Sequence, residues 1–396
     1  MNMNEQMKES EESILHTYNR FPVVFEKGQG CYLYDSEGKE YLDFAAGIAV
    51  NSLGYHYPGY DEALKDQIDK LMHISNLYYN EPIIEAGAKL VKASKMSKAF
   101  FTNSGTEAIE GALKAAKKYA YVRDGHADHE IIAMNHSFHG RSIGALSVTG
   151  TAHYREPFEP LMGGVKFADF NDLESVKAQI TDKTCAIITE VVQGEGGIYP
   201  AKKEFLEGLR QICDEKDIML IFDEIQCGMG RTGHYFAWQV YGVQPDIMTS
   251  AKALGCGVPV GAFVLNEKAA KASLEPGDHG TTYGGNPFVC AAVSKVFDIY
   301  ENDKIIEHVQ EMTPYLEQKL DEIVAKHECA ATRRGMGFMQ GIVIQGRPVG
   351  EVVKAALAKG LLVISAGSDV LRIVPPLVIT KEHIDKMAAI LDECME

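Results

Sequence analysis

The middle of the chain alternates short apolar runs with amphipathic stretches, as expected for strands that alternate with helices. The apolar runs predict six strands, at residues 99–103, 130–135, 185–190, 218–224, 246–251 and 261–266. Each run is apolar on both faces, which is typical of parallel strands covered by helices on two sides. Helical patterns occupy residues 106–120 and 203–216. The pattern therefore predicts an α/β fold with right-handed crossovers.

The two ends of the chain have a different pattern. Residues 17–45 contain short strand-like stretches separated by turn residues. Residues 303–327 and 380–395 are amphipathic and predict helices, with strand-like segments such as FMQGIVI and VLRIVP between them. We expect a small α+β domain built from both ends, residues 1–52 and 286–396, around a large domain at residues 53–285.

Polar residues follow the first predicted strand of the sheet. Ser104 is a good N-cap, and Glu107 three residues later predicts a capping box. Gly105 and Thr106 leave the first helical turn sterically open, and free N–H groups at a helix start suit a phosphate. An ordinary well-capped helix explains the same residues.

Two other predicted strands are also followed or ended by residues that could bind a ligand. Phe138 and Arg141 follow residues 130–135 and could stack on and pair with a flat anionic ligand, or serve as core and surface residues. Asp223 and Glu224 end the run at 218–224, and a partly buried carboxylate needs a partner. A protonated heterocyclic nitrogen would serve, and so would a helix cap or a structural ion pair.

Lys252 lies in IMTSAKALGCG, with no other charged residue in the stretch. If the preceding strand is buried, desolvation lowers the pKa of the amine and favours the neutral nucleophile that forms Schiff bases. The alternative is a lysine that reaches solvent along its aliphatic stem. Together with the phosphate-ready helix start, the aromatic residue and the carboxylate, Lys252 completes the set of groups that pyridoxal phosphate requires.

The composition of the chain argues against several classes of function. The 396 residues carry a formal net charge of −16, which argues against nucleic acid or an anionic membrane as a partner. The first 13 residues are polar and acidic, unlike a secretory signal, and no apolar run approaches the roughly 20 residues of a membrane span. The eight cysteines include no CxxC pair, so we expect reduced thiols in a cytoplasmic protein.

Two HxxH pairs, His126/His129 and His136/His139, raise the question of a metal site. Neither pair has cysteine ligands nearby in the sequence, so we expect no zinc.

Five motifs in order resemble the class III (subgroup II) aminotransferases of fold type I: NSGTEAIEGALKAA, FHGR, FDEIQCGMGRTG, SAKALG and HGTTYGGNP. The resemblance extends from about Tyr18 to the C-terminus. It implies a mainly parallel seven-stranded sheet flanked by helices in the large domain. Within the class, residues 18–54 and EVVQGEGGIYPA are most similar to members that transfer the terminal amino group of N2-acetylornithine to 2-oxoglutarate in arginine biosynthesis.

The resemblance implies roles for the cofactor-binding residues. Lys252 would hold pyridoxal phosphate and shuttle a proton, and Asp223 would keep the pyridine nitrogen protonated. Gln226 would hydrogen-bond the phenolic oxygen and Phe138 would stack on the ring. The phosphate would lie at the helix start, with a contact from the partner subunit of a homodimer. The phosphate-binding residues implied are Ser104, Gly105, Thr106 and, across the dimer, Thr282.

The resemblance also implies substrate-binding residues. Arg141 matches an arginine that binds a substrate carboxylate, for which a bidentate guanidinium is suited. Glu195 and Arg372 match a switchable ion pair: Glu195 neutralises Arg372 for one substrate and swings away for the other. Tyr18 and Thr281 match residues near the substrate.

The chain departs from the family pattern in places that leave the cofactor set intact. Tyr55 and Tyr57 stand where histidines are common, and EVVQGE lacks a frequent proline. Ile48 stands where ornithine aminotransferases carry a tyrosine, which favours an acylated donor.

Other functions remain open. They are transamination of succinylornithine, ornithine, N-succinyl-diaminopimelate, lysine or GABA, a mutase or racemase reaction, and a non-catalytic regulator. A nicotinamide-dependent dehydrogenase is disfavoured because no GxGxxG follows an early strand.

Overall fold

The computed structural model describes residues 2–396. The first part of the chain contains α1 (Met3–Ser13), β1 (Phe25–Gln29), β2 (Tyr32–Asp35), β3 (Glu40–Asp43), the single turn α2 (Ala46–Ala49), α3 (Tyr60–Lys70) and α4 (Glu81–Ser94). Strands β1 to β3 form an antiparallel meander. This part confirms the strand-like stretches predicted at residues 17–45.

The middle of the chain alternates strands and helices, as its apolar pattern predicts. The strands are β4 (Lys98–Thr102), β5 (Glu130–Met134), β6 (Val165–Ala168), β7 (Thr184–Glu190), β8 (Val192–Gln193), β9 (Tyr199–Pro200), β10 (Met219–Asp223), β11 (Ile247–Ser250) and β12 (Gly261–Leu265). The helices are α5 (Gly105–Asp124), α6 (Ile143–Ser147), α7 (Ala152–Arg155), α8 (Leu173–Gln179), α9 (Lys203–Lys216), α10 (Trp238–Tyr241) and α11 (Glu267–Ala272), with 3-10 turns at Glu156–Phe158 and Lys252–Leu254.

Seven of these strands form one sheet in the order β4-β12-β11-β10-β7-β5-β6. Six strands run in the same direction and only β12 is antiparallel to its neighbours. The mainly parallel seven-stranded sheet is therefore confirmed, but the parallel direction expected for residues 261–266 is wrong. Burial on both faces does not report strand direction, because helices cover both faces of this antiparallel strand too. Strand β6 was missed because its half-buried VKFA has no extended apolar run.

The last part of the chain contains the helices α12 (Pro287–Asn302), α13 (Ile305–Lys326), α14 (Val349–Ala358) and α15 (Lys381–Met395). Its strands are β13 (Ala330–Met336), β14 (Met339–Ile344), β15 (Leu361–Leu362), β16 (Ile364–Ala366) and β17 (Val370–Ile373). The helices predicted at 303–327 and 380–395 and the strands FMQGIVI and VLRIVP are confirmed.

The two ends of the chain meet in one sheet. Strand β15 from the C-terminal part pairs in parallel with β3 near the N-terminus, giving the order β1-β2-β3-β15. A second sheet, β13-β14-β17-β16, is antiparallel throughout. This pairing agrees with a small α+β domain from both ends, while the boundaries near residues 52 and 285 stay a prediction.

Within residues 2–396, no helix combines the length and apolar character that a membrane crossing requires.

Candidate active site

The parallel strands of the large sheet end at one edge, and the polar residues that follow them meet there. Strands β7 and β10 end in the carboxylates Glu190 and Asp223, which are paired in register. Lys252 follows the adjacent strand β11 by two residues. A crevice outside the carboxyl ends of parallel strands is the usual ligand site of open α/β sheets.

A small cleft at this edge brings together side chains from distant parts of the sequence. The predicted site residues that line it are Phe138, Glu195, Asp223, Gln226 and Lys252. Glu190 and Cys227 also line it and have no predicted role.

Lys252 is positioned by a strained backbone. Its φ is +49°, in the left-handed region that non-glycine residues rarely adopt. Burial lowers the pKa of Lys252 from its usual value to about 8, and the positive charge of Arg372 acts in the same direction against the opposing effect of Glu195. Burial and neighbouring charges act on the pKa of the amine, and among residues 2–396 no hydrogen bond contributes to the shift. The neutral, nucleophilic amine is therefore more populated near neutral pH than it is in an ordinary lysine.

Asp223 is held in one orientation by three contacts and is only 4% exposed. Its Oδ2 lies 2.7 Å from Nδ1 of His139. Its Oδ1 accepts hydrogen bonds from the backbone N–H of Ile225 at 3.0 Å and the hydroxyl of Thr249 at 3.2 Å. A carboxylate fixed in this way at the bottom of a cleft can pair with a cationic ligand nitrogen without reorganising.

His139 was missed as a site residue because the sequence suggested it only as half of a metal-binding pair. Its Nε2 is buried with no hydrogen-bond partner within residues 2–396. The one feature of the sequence that could have indicated a role for His139 in the site is its position directly after Phe138, near the end of a predicted strand. Its contact with Asp223 makes it a positioning residue for that carboxylate.

Glu190 was also missed. Burial raises its pKa to about 7, against the opposing charge of His139. Its carboxyl accepts hydrogen bonds from the backbone N–H of Phe138 at 3.3 Å and of Gly194 at 3.1 Å. Glu190 therefore fixes the two loops that carry Phe138 and Glu195.

The start of α5 follows β4 directly. Ser104 caps it by accepting a hydrogen bond from the Glu107 backbone N–H at 3.3 Å. The predicted capping box is wrong, because the Glu107 carboxylate accepts from the backbone and side chain of Asn103, at 2.7 and 2.8 Å. The first N–H groups of the helix, at Gly105 and Thr106, keep no helical acceptor.

Thr106 has a further contact that ties this helix start to the neighbouring loop. Its hydroxyl lies 2.7 Å from that of Ser142. The Ser142 hydroxyl in turn donates to the Glu110 carboxylate at 2.5 Å, so the groups at this helix start that remain available to an anion are the two free amides.

Phe138 and Arg141 lie close together at the end of β5. The Arg141 guanidinium lies 5.3 Å from the centroid of the Phe138 ring and 4.1 Å from that of Tyr154. Phe138 is half-buried, whereas Arg141 is exposed. The stacked arginine is therefore accessible to an anionic ligand.

Glu195 and Arg372 form an ion pair, although 176 residues separate them in the sequence. Arg372, on β17, is only 3% exposed and also contacts the Gln226 side-chain oxygen at 3.2 Å and the Ser365 carbonyl at 3.2 Å. Burial acts to raise the pKa of Glu195, but the charge and the hydrogen bond of Arg372, together with Lys252 and Gln226, outweigh it and lower the pKa. Glu195 therefore stays ionised and neutralises the arginine.

Besides the helix-start residues, Arg141 and Arg372, three more predicted residues do not line the cleft. Thr281 accepts a hydrogen bond from the Asn103 amide at 3.2 Å, which places it beside the helix start. Thr282 is exposed, and Tyr18 is 72% exposed near the N-terminus.

The segment around Ile48 is unusual. Four consecutive residues, 46–49, have φ between +48° and +66°, so they form a left-handed turn. Such a turn costs roughly 1–2 kcal/mol per non-glycine residue. It presents Ile48 to solvent with 44% of its side chain exposed.

The tyrosines that replace the expected histidines make structural contacts. Tyr55 donates to the buried carboxylate of Asp43 at 2.8 Å, and Tyr57 donates to Asp303 at 2.9 Å. Both hydroxyls are therefore occupied by carboxylates from other parts of the chain.

The pair His126/His129 lies with Asp124 at the end of α5, with one potential ligand atom from each residue within 4.8 Å of the others. Asp124 is already engaged by Arg123 through two contacts of 2.6 Å and by His129 at 2.9 Å. Its carboxylate is thus neutralised by a neighbouring cation.

The fold and the cleft define a class of protein. Residues 14–395 match the model of a family described as aminotransferase class-III. The chain therefore belongs to the class III aminotransferases, and the resemblance noted in the sequence is confirmed.

Two relatives and one solved structure are informative. The chain is 47% identical to an acetylornithine aminotransferase from Clostridium acetobutylicum, over 98% of this chain and 100% of the relative. It is 44% identical to a succinylornithine transaminase from Yersinia pseudotuberculosis, over 94% and 92%. The structure of an ornithine aminotransferase from Toxoplasma gondii, described with partial occupancy of PLP at its active site, has a TM-score of 0.95 and 28% identity and covers 100% of this chain and 94% of its own. Fold type I is thereby confirmed.

Proposed function

We propose that this aminotransferase uses pyridoxal phosphate to move the terminal amino group of N2-acetylornithine to 2-oxoglutarate, giving N-acetylglutamate semialdehyde and glutamate. The observation that carries the proposal is the Glu195–Arg372 ion pair at the edge of the cleft that Lys252 lines. One site must accept a donor with an uncharged acyl group and then a diacid, and a charge that can be neutralised or exposed meets both needs. The Clostridium relative supports the choice of donor.

The chemistry of the cleft fits pyridoxal phosphate. An amine with a lowered pKa suits its aldehyde, a fixed carboxylate suits its ring nitrogen, and the open start of α5 suits its phosphate. When bound, this cofactor supplies an electron sink for the carbanion formed at the substrate.

The residues of the chain have distinct roles in this proposal. Lys252 attaches the cofactor through its amine. It then carries the proton between the substrate carbon that bears the amino group and the carbon of the cofactor aldehyde. Asp223, oriented by His139 and Thr249, holds a proton on the ring nitrogen. Phe138 covers one face of the ring and Gln226 hydrogen-bonds the phenolic oxygen. The phosphate is assigned to Ser104, Gly105 and Thr106, with Thr282 from a second copy.

Substrate recognition is assigned to residues around the cleft. Arg141, exposed beside Phe138, binds the α-carboxylate of the donor. Arg372 binds a carboxylate of 2-oxoglutarate once Glu195 turns away, and Tyr18 and Thr281 contact the substrate.

A homodimer with shared active sites is part of the proposal. Large apolar side chains are exposed beside Thr282, since the His73 and Tyr283 rings lie 5.3 Å apart and Asn76 donates to the Gly284 carbonyl at 2.8 Å. The exposed residues of this surface are Leu71, Met72, Leu77, Tyr78, Tyr79 and Tyr283. A surface of this kind supports burial against a second copy.

Two further features complete the proposal. Residues 1–52 and 286–396 form the small domain and residues 53–285 the large one, supported by the pairing of β15 with β3.

All eight cysteines are free thiols, which supports a reducing, cytoplasmic location.

A half-reaction screen tests the donor. The protein loaded with pyridoxal phosphate is mixed with one donor at a time, without acceptor, and loss of the visible absorbance of the bound cofactor is followed. We expect N2-acetylornithine to give the largest second-order rate constant, and 2-oxoglutarate to restore the absorbance.

The competing donors are ornithine, lysine, GABA, succinylornithine and N-succinyl-diaminopimelate. A faster reaction with free ornithine, lysine or GABA would contradict the proposed donor. Turnover without any oxo acid would instead indicate a mutase or racemase.

Glu195→Gln should change the two half-reactions in opposite directions. With the carboxylate gone, the Arg372 charge no longer has to be released before it binds the acceptor, so KM for 2-oxoglutarate should fall. The same uncompensated charge faces the donor, so the donor half-reaction should slow. We expect about tenfold for each effect, equivalent to about 1.4 kcal/mol.

The two half-reactions are measured separately by stopped-flow absorbance. Glu317→Gln is a matched control, because it alters a carboxylate–arginine pair, Arg333–Glu317 at 3.2 Å, neither member of which lines the cleft. Equal losses in both half-reactions of Glu195→Gln would exclude the switching role.

A further inference from the structure

A second buried carboxyl group lies beside Asp223 in the Lys252 cleft. Glu190 is the last residue of β7 and is paired in register with Asp223 at the end of β10. Both side chains line the cleft, and they are only 5% and 4% exposed. Because neighbouring strands lie about 4.8 Å apart, the two carboxyl groups share one environment of low dielectric constant. The proposed function uses Asp223 and leaves Glu190 without a chemical role.

Glu190 is held beside Asp223 by its own hydrogen bonds. Its Oε2 accepts from the backbone N–H of Phe138 at 3.3 Å, and its Oε1 accepts from the backbone N–H of Gly194 at 3.1 Å. A β-carbon at position 194 would lie 2.6 Å from the Gln226 side chain, so this backbone packs directly against the cleft. Both oxygens of Glu190 are therefore fixed at the cleft wall.

The groups around Asp223 are those that act most on the ionisation of Glu190. Burial raises the pKa of Glu190 to about 7, and the negative charge of Asp223 acts in the same direction. His139 and the two backbone N–H groups oppose the rise. His139 lies 2.7 Å from Asp223, whereas Glu190 forms no ion pair within residues 2–396. A positive charge bound at Asp223 is thus placed where Glu190 responds to it.

The remaining titratable groups of the cleft do not compensate Glu190. Glu195 is already paired with Arg372. Burial holds the pKa of the Cys227 thiol well above its usual value, so this group stays neutral. Lys252 gives up its ammonium charge when its amine attaches the cofactor. A loaded cleft therefore favours an ionised Glu190 only if the cofactor itself brings a positive charge.

We propose that Glu190 is a second electrostatic partner of the cofactor, which loses its proton on loading so that Asp223 and Glu190 together stabilise the protonated ring nitrogen. The O–H bond of the Glu190 carboxyl group breaks and its proton passes to solvent, with no transfer of electrons. By reciprocity, the ionised carboxylate tightens cofactor binding by the same factor by which the cofactor favours ionisation. This inference rests on the proposed function, because it takes pyridoxal phosphate as the cofactor.

The sign of the resulting pH dependence follows from proton binding. The pKa of Glu190 is about 7 without the cofactor and lower with it, so loading releases a proton below about pH 7. The contribution of Glu190 to cofactor affinity is therefore complete above about pH 7. It is lost as the pH falls, because a neutral carboxyl group no longer attracts the ring cation.

The test compares the dissociation constants of pyridoxal phosphate for wild type and Glu190→Gln, measured by equilibrium dialysis at several pH values. Glutamine keeps the shape of the side chain but cannot ionise. The ratio of variant to wild-type dissociation constants should rise about tenfold between about pH 5.5 and about pH 8, equivalent to about 1.4 kcal/mol. Lys252 loses its charge in both proteins, so the ratio isolates Glu190. A purely structural loss would be the same at every pH.

Glu224→Gln is the matched control. Glu224 is fully buried and accepts the backbone N–H groups of Ala237 at 2.8 Å and Trp238 at 2.7 Å, and burial raises its pKa to about 7 as well. It does not line the cleft, so its ratio to wild type should not vary with pH. A ratio for Glu190→Gln that is constant with pH would overturn the inference. So would an equal rise in Glu224→Gln.

The wild type provides a second measurement that does not depend on folding of the variant. A deaza analogue of pyridoxal phosphate, in which a carbon atom replaces the ring nitrogen, has the same shape without the ring charge. The ratio of its dissociation constant to that of pyridoxal phosphate should rise with pH over the same range. A ratio independent of pH would again overturn the inference.

Failure of the proposed function has a different signature. In that case the wild type would bind no pyridoxal phosphate at any pH and would show no visible absorbance of a bound cofactor. Binding with a ratio independent of pH would leave the proposed function standing and exclude only the role of Glu190.

Discussion

Lys252→Ala is expected to lower turnover by about 10⁴-fold or more, the upper end of what one positioned acid–base group contributes. Lys252 supplies both the amine that attaches the cofactor and the base that moves the proton, and none of the other residues that line the cleft carries an amine. The variant should remain folded by circular dichroism. It should also lose the visible absorbance of a covalently held cofactor after gel filtration.

A matched control separates this loss from a general effect of removing a lysine. Lys268→Ala removes a partner of Asp217 at 2.7 Å on the far side of the sheet and should keep wild-type turnover. Turnover of Lys252→Ala within tenfold of wild type would contradict the assignment of the catalytic amine.

The stability of the cofactor-free protein gives a second measure of the same residue. Because burial lowers the pKa of Lys252 to about 8, the folded protein at pH 7 bears the cost of a desolvated charge. Lys252→Met should therefore raise the free energy of unfolding at pH 7 by up to about 3 kcal/mol, an upper bound since solvent reaches part of the side chain.

The sign of the pH dependence follows from proton binding. Between about pH 8 and the usual pKa of lysine, the unfolded chain binds more protons at this position than the folded one, so wild-type stability rises with pH in this window. The difference between Lys252→Met and wild type should shrink over the same range. Chemical denaturation at several pH values measures it, and a constant difference would contradict a depressed pKa.

Much of the fold could be predicted because the relevant signals are local. All six apolar runs of the middle region became strands, and the helices at 303–327 and 380–395 differ by at most two residues at each end. Strand direction is not local. The antiparallel β12 has the same double-sided burial as its parallel neighbours, so only its pairing with β11 and β4 distinguishes it.

The site residues that lie at or near the ends of strands could be predicted from the sequence. Asp223 is the last residue of β10, Lys252 follows β11 by two residues and Phe138 follows β5 by four, and parallel strands bring such residues to one edge. Glu195 and Arg372 required family resemblance, because 176 residues separate them and no periodicity connects them.

Local sequence misled in one respect at Lys252. The stretch IMTSAKALGCG has no other charge, which suggested an amine without charged neighbours. In three dimensions Arg372, Glu195 and Asp223 all act on its pKa. Burial and Arg372 lower the pKa of the amine although these carboxylates act in the opposite direction, so the shift does not depend on their absence.

The left-handed turn at residues 46–49 could not have been predicted, because three of its four residues are not glycine. Its conformation is stabilised from outside: the carboxylate of Asp43 accepts hydrogen bonds from the backbone N–H groups of Ala45 and Ala46, and from Tyr55. Tyrosine at position 55 therefore has a structural reason in this chain, namely support of the turn that presents Ile48 to solvent.

Asp223→Ala should lower the rate of the first half-reaction by about 10²- to 10³-fold, the cost typical of losing one pre-oriented electrostatic partner. The carboxylate keeps the ring nitrogen protonated, and its orientation depends on His139 and Thr249. Since Lys252 is intact, the variant should still hold the cofactor covalently and show its visible absorbance. Slow chemistry with normal covalent loading is the pattern that distinguishes Asp223 from Lys252.

Asp246→Asn is the control for removing a buried carboxylate from the same sheet. Asp246 precedes β11 at the opposite edge and binds Arg210 at 2.9 Å and the Leu220 backbone N–H at 2.8 Å. Its loss should lower the melting temperature while the rate per folded molecule stays normal, because no cleft residue contacts it. If Asp223→Ala gave the same pattern as Asp246→Asn, the carboxylate would be structural and the partner of the ring nitrogen would have to be Glu190, the other carboxylate buried beside it.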